Sequence, residues 1–389
     1  MKYLYLIFII LSVASIFFSQ EDKHELNQSS FSFALGIDYE KEGYVVSLQL
    51  INPGEISGEK LLNNSPYIVY KAKGKTIDTA LEKISMNTSR YVDLKQEQII
   101  VLGEELARKG RTKEIVEYIL HSPDIPANAL IITTKGNKAS ELLEIFSPVE
   151  GYSALEITNT LDKLGKHVLQ NASEIKVDLL EEGKDSSLPY IVLKGDLQKG
   201  MSRDNLDTTN PAHIVFGGFG LFKDEYLKKY LDYRDSLFLQ LLNGKSSGFI
   251  IESTCPEGPE KFAFKLFNGH VKNREYKRVE NNYLFQYTLN LSGDIRQYNC
   301  HGNLKDPETI EQLEKQINKT IQKKENKILS IAQGYGIDPF GLGHFIKNKD
   351  PELWDTLKEE WSTSIKNAQI EIHSNITIQN VGNYKSRGD

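Results

Sequence analysis

Cysteine is nearly missing: Cys255 and Cys300 are all that the 389 residues contain. His301 follows Cys300, but no further cysteine or histidine stands near either one in the sequence, so their spacing does not read as a zinc site of three or four such ligands. Two readings of the pair stand open, one disulfide in an exported chain or two separate buried thiols. Charge of a single sign is missing as well. Lysine and arginine number 47 against 53 aspartates and glutamates, a net charge of −6. No basic stripe alternates with stacking aromatics, and nucleic acid is therefore not an expected partner.

Long apolar runs are absent after the first eighteen residues. The one that exists, residues 3–18, follows Met1 and Lys2 and stops where Glu21, Asp22 and Lys23 begin. It falls short of the roughly 20 residues that span a bilayer, and its positive start reads as an export signal. Residues 1–19 are accordingly read as a signal peptide or an uncleaved N-terminal membrane anchor. The remainder is expected to lie outside a membrane.

The motifs of common chemistries are missing too. The eight histidines, at 24, 121, 167, 213, 270, 301, 344 and 373, form neither an HExxH nor an H-x-H pair. The one G-x-S-x-G spelling, "GKSSG" at 244–248, follows a helical segment instead of opening one and so is not a nucleophile elbow, and no glycine-rich loop is spaced to cradle phosphate. The glycine cluster at 216–220, "FGGFG", lies within a strand pattern and reads as a bulge or close backbone approach. Glu104 and Glu105 open a helix, where carboxylates suit the positive dipole end. Asp338, just before Pro339, reads as the N-cap of the next helix. No catalytic residue, cofactor or metal is expected, and the chain is not read as an enzyme.

What is present is a steady alternation of strand and helix patterns. Strands at 31–37 and 44–51 make a hairpin around Gly43, and "SPYIVYKAKG" adds a third. Thr76 then caps a helix with Ile77, Ala80, Leu81 and Ile84 on one side. Short strand and helix segments continue to residue 197. The polar stretch 198–210, "QKGMSRDNLDTTN", has no periodicity and reads as a linker. Beyond it come a glycine-broken strand, a helical segment over 223–244, and three β-rich runs at 248–255, 261–276 and 282–300. A helix over 306–333 follows, with a stripe of Ile310, Leu313, Ile317, Ile321 and Ile328 and a stop at Gly334. A final strand alternates Ile370, Ile372, Ile376 and Ile378 with polar residues, as a half-buried edge does. The expected fold is multi-domain α+β. Mixed or antiparallel sheets carry covering helices, and one long amphipathic helix lies in the C-terminal domain. Residues 20–197 make an N-terminal α/β region, 198–210 the linker, and 211–383 a C-terminal α+β domain.

Several blocks carry a family pattern. "LGIDYEKEGYVVSLQLINPGE", "YKAKGKTIDTALEKISMNTSRYVDLKQEQIIVLGEELARKG" and "SPDIPANALIITTKGNKASELLEI" occur in the first half. "CPEG" and "AQGYGIDPFGLGHFIKNKDPELWDTLKEEW" follow in the second. In this order they resemble the Ger(x)C family, the C subunits of spore germinant receptors, over about residues 25–382. The resemblance implies a non-enzymatic protein on the outer face of the spore inner membrane. It further implies association with an A and a B membrane subunit, which bind the nutrient, and a part in receptor assembly and in coupling nutrient sensing to germination. A second class, an extracytoplasmic protein that captures a small molecule between its own halves, predicts a concave pocket with a few convergent polar groups.

Members of that family carry a lipid on a cysteine directly after the signal. In the matching register "QEDKHEL", Gln20 stands at the cysteine position and has no thiol to accept a thioether-linked anchor. The resemblance therefore leaves retention to an uncleaved anchor or to the receptor partners. A partner surface is expected on two irregular loops: 336–345, represented by Phe340 and His344, and 123–128, represented by Pro123 and Asp124.

Overall fold

The computed structural model describes residues 28–41, 43–52, 65–245, 248–280 and 282–381. Gln20 and the apolar run 3–18 lie outside the described residues. The chain opens with β1 (Ser29–Glu40), β2 (Gly43–Ile51) and β3 (Tyr67–Gly74), an antiparallel meander. After α1 (Ile77–Asn87) and the short β4 (Tyr91–Asp93), β5 (Ile99–Leu102) lies parallel to β1. Helices α2 (Glu104–Arg108) and α3 (Thr112–His121) lead to β6 (Leu130–Thr134), parallel to β5. Next come α4 (Ala139–Leu142), α5 (Ser153–Leu164) and α6 (Ala172–Leu180), then β7 (Ser187–Lys194), parallel to β6.

Strict alternation builds the core on both faces of this sheet. Ile100 and Leu102 of β5 join one cluster with Leu35, Ile37, Ile84, Ile115 and Ile175. Ile99 and Val101 join the opposite cluster with Ala34, Leu142, Ile157 and Leu161. Successive side chains of a strand point to opposite faces, so a run apolar at every position requires cover on both sides.

The sheet does not stop at residues 198–210. That stretch holds a one-turn helix, Leu197–Gly200, and a 3₁₀ turn, Arg203–Leu206, and joins β7 to β8 (His213–Lys223). The two strands pair antiparallel from Ser187–Leu221 to Lys194–His213, with a register shift near Tyr190 in the glycine-rich segment. Asn205 locks the connection by donating to the carbonyls of Phe146 and Ala212 and accepting from the Ala212 N–H. Its lack of periodicity reflects turns tied down by polar side chains rather than a free linker.

The expected helix over 223–244 is a hairpin strand followed by a shorter helix. β9 (Tyr226–Asp232) pairs with β8 and closes a nine-stranded sheet ordered β3-β2-β1-β5-β6-β7-β8-β9, with β4 beside β1. Asp224, at φ 54°, makes the tight turn, and the Asp232 carboxylate caps α7 (Tyr233–Leu242) by accepting from Asp235 N–H at 2.8 Å. Buried Leu227 and Leu231 are four residues apart, a spacing that fits a helix face and an alternating strand equally.

A second sheet holds β10 (Ile250–Thr254), β11 (Lys261–Val279) and β12 (Asn282–Tyr298) as an antiparallel meander. β13 (Gln369–Asn380) joins its edge parallel to β12. Across it lies α8 (Pro307–Tyr335), which buries Leu313, Ile317, Ile321 and Ile328, with Ile310 packed partly buried alongside. Asp306 caps its start beside Pro307. The helix runs through Gly334 and stops at Gly336, whose left-handed φ of 65° marks the true end. Glycine sits at both positions, and only backbone geometry separates a solvent-facing one from a cap. Side chains of α8 also cover part of the β13 edge: Gln322 bonds Ile370 O and Ile372 N–H, and Asn318 accepts from Ser374 N–H. The fold is α+β with two sheets, and the chain passes from the first sheet to the second after α7.

Candidate functional site

The two sheets meet where the loop after α6 presses on the loop after α8. Beyond Gly336 the chain buries Ile337, Asp338 and Phe340, then turns through Gly341 into α9 (Leu342–Lys349) and α10 (Pro351–Leu357). Against it lie residues 181–186. Asp185 N–H donates to Asp338 O at 2.9 Å, and Asp338 N–H donates to the Asp185 carboxylate at 2.7 Å. His344 N–H donates to Gly183 O at 2.8 Å. These bonds, two of them wholly main-chain and all made by residues more than 150 positions apart, fix the register of one sheet against the other.

Gly183 has no substitute here. Its φ is 78°, and a Cβ would stand 2.4 Å from His344 N and 2.8 Å from the Trp354 ring. The Trp354 and Trp361 rings meet edge to face at 5.7 Å beside Gly343. Each indole N–H finds a carboxylate, Trp354 on Glu182 at 3.3 Å and Trp361 on Asp338 at 3.0 Å. Buried indoles need such partners, and acidic residues of the junction supply them.

The electrostatics are those of two carboxylates drawn out of water. Burial pushes Asp338 up to about 6, against hydrogen bonds from Gly343 N–H, Leu342 N–H and the Trp361 indole; the Asp185 charge adds to the rise. Burial likewise raises Asp185, opposed chiefly by the Lys223 ammonium at 3.2 Å. The expected N-cap role of Asp338 needs correction. Gly341 occupies the N-cap position, and the Asp338 carboxylate reaches past it to Gly343 N–H at 2.8 Å while also holding Trp361.

Phe340 is not on an exposed surface. It is 2% exposed and belongs to the core under the second sheet, and its carbonyl accepts from Arg274. The glycine- and proline-rich loop is irregular because it packs sheet against sheet. His344 is half-buried, with Nε2 3.1 Å from Glu181 and 2.7 Å from the Asn348 amide. Pro123 and Asp124 are exposed, in the loop between α3 and β6. The two predicted surface loops share no described contact. Glu104 opens α2 and ties its carboxylate to Gly136 N–H and Arg108.

Cys255 and Cys300 form a disulfide with Cα atoms 5.4 Å apart, tying the end of β10 to the end of β12. Among the described residues no group of histidine, cysteine, aspartate and glutamate is arranged to hold a metal ion. No described helix is long and apolar enough to cross a membrane. Sequence reasoning missed the 181–186 loop, whose only signal was a glycine amid acidic residues, "EEGKD".

Two family models match the chain. "Spore germination protein N-terminal domain" covers residues 22–193, and "Spore germination B3/GerAC like, C-terminal" covers 217–382. The chain is 26% identical to spore germination protein KC of Bacillus subtilis (strain 168) over 374 residues, 93% of this chain and 91% of that one. It is 22% identical to the spore germination protein GerQC of Bacillus cereus, over 81% of this chain and 82% of the other. The crystal structure of the GerBC protein superposes with a TM-score of 0.58 at 13% identity, covering 89% of this chain and 97% of that one, a likeness of fold.

Proposed function

The chain belongs to the GerAC-like spore germination family, and on that premise we propose that it serves as the non-catalytic C subunit of a nutrient germinant receptor. In this reading it lies on the outer face of the spore inner membrane and joins an A and a B membrane subunit, which bind the nutrient. Its work is assembly of the receptor and coupling of nutrient sensing to germination. The observation that carries the reading is the family match across both halves, from residue 22 to 382.

The architecture supports it in one further respect. Strands β1, β5 and β6 run parallel, so the start of β1 at Ser29 and the 123–128 loop before β6 lie at the same end of the large sheet. The N-terminal segment enters at that end, and any anchor it supplies would turn Pro123 and Asp124 toward the membrane partners. Without a cysteine at Gln20, retention falls to residues 1–19 or to those partners. The test is recovery of the tagged chain from spore inner membranes together with a multi-span partner, and loss of the nutrient response when its gene is deleted. A chain that purifies alone, from spores that germinate normally without it, would refute the reading.

A further inference from the structure

A cleft of about 180 Å³ opens where the two sheets meet. Three of the residues that line it carry a buried polar atom without a hydrogen-bond partner among the described residues: Gln170 at Oε1, Gln240 at Oε1 and His344 at Nδ1. Gln170, at 6% exposure, comes from the segment before α6, and Gln240, at 3%, from α7. They reach the same space from two different elements of the junction. A buried acceptor with no partner forfeits its bonds to water, and leucine at either place would avoid that loss. Two such amides in the wall of one opening suit something that donates to them.

The other walls define what that is. Arg274 lines the cleft with no carboxylate within ion-pair distance among the described residues. Its guanidinium donates to the carbonyls of Phe340 and Gly341, both at 3.3 Å, and lies over the rings of Tyr287 and Phe345. Lys245 adds a second cation and Lys184 a third, the last held by Asp178 at 2.7 Å and Glu181 at 3.3 Å. Glu181 and the two amides supply acceptors on the remaining sides. At ~30 Å³ per water-sized group, the volume suits roughly six or seven non-hydrogen atoms.

We propose that this cleft binds a short carboxylate bearing hydroxyl or amino donors, a three- or four-carbon hydroxy or amino acid. Its carboxylate meets Arg274 and Lys245, and its donors meet Gln170, Gln240 and Glu181. The site lies within this chain and stands independently of how the chain assembles with membrane partners.

The experiment uses the purified full chain and three probes, L-serine, L-lactate and glycerate, each titrated to ~10 mM by calorimetry and by thermal unfolding. Acetate, which has no donor, and ethanolamine, which has no carboxylate, serve as comparisons. At least one of the three probes raises the unfolding midpoint saturably, while both comparisons leave it unchanged. Gln240→Met, which removes a buried acceptor that has no protein partner, keeps or raises the midpoint of the unliganded protein and weakens binding about tenfold or more. If Gln240→Met does not fold, Gln170→Met carries the same readout. No saturable shift with any of the three probes overturns the proposal. So does an equal shift with acetate or ethanolamine, or a glutamine variant that binds as tightly as the wild type.

Discussion

Asp338 N–H donates to the Asp185 carboxylate at 2.7 Å, and Asp185 N–H donates back to Asp338 O at 2.9 Å. The pair is a two-way bond between the large sheet and the loop that leaves the long helix. It places two buried carboxylates side by side, and this makes the junction sensitive to pH.

The sign follows from the direction of the shifts. Asp338 rises to about 6 and Asp185 is also raised, so folding takes up protons where the unfolded chain has released them. The contribution of Asp338 to stability is complete below the usual aspartate value and fades as pH rises through about 6, and that of Asp185 falls in the same direction as pH rises. Asp338→Asn removes its share of that decline, ~3 kcal/mol between pH 4 and 7. Urea melts of wild type and variant across that range check it; parallel curves would show that Asp338 ionises freely.

Gly183→Ala puts a methyl group against His344 N and the Trp354 ring at a φ that alanine resists. The expected cost is at least ~2 kcal/mol, and proteolysis should quicken at residues 181–186 and 336–345. Equal midpoints for variant and wild type, measured by guanidinium melts, would contradict the tight approach.

The disulfide closes a loop of 45 residues within the second sheet. Replacing Cys255 and Cys300 together by serine should cost about 4 kcal/mol on the chain-entropy estimate. Melts of the double variant against the oxidised wild type, with and without reductant, measure it. Reductant should shift only the wild type.

Phe340→Ala and Asp124→Lys separate folding from docking. The first empties a site in the core and should cost ~3–5 kcal/mol whatever partners are present. The second alters an exposed loop, should leave the melting curve within ~0.5 kcal/mol, and should lower recovery of the membrane partners with the tagged chain. Full recovery with Asp124→Lys would remove 123–128 from the docking surface.

Local signals were legible where local physics decides. The Thr76 cap, the apolar run of β5 and the stripe of α8 each follow from spacing and capping, and each appears as read. Longer-range outcomes were not. Leu227 and Leu231 suit helix and strand alike, and only pairing with β8 selects the strand. Phe340 and Asp338 sit in a loop whose composition suggests exposure. Their burial depends on Gly183 and Asp185, over 150 residues away, and no local window contains both. The inward-facing amides of Gln170 and Gln240 were invisible for the same reason.

The β7–β8 ladder joins strands on the two sides of the boundary between the family's N- and C-terminal models. Considered as a load path, it lies in series between whatever holds the N-terminal end and whatever pulls on the second sheet. Tension along these strands would shear many hydrogen bonds at once instead of opening them one by one. Force applied between the two halves would therefore meet this ladder in shear, the direction in which its hydrogen bonds resist together.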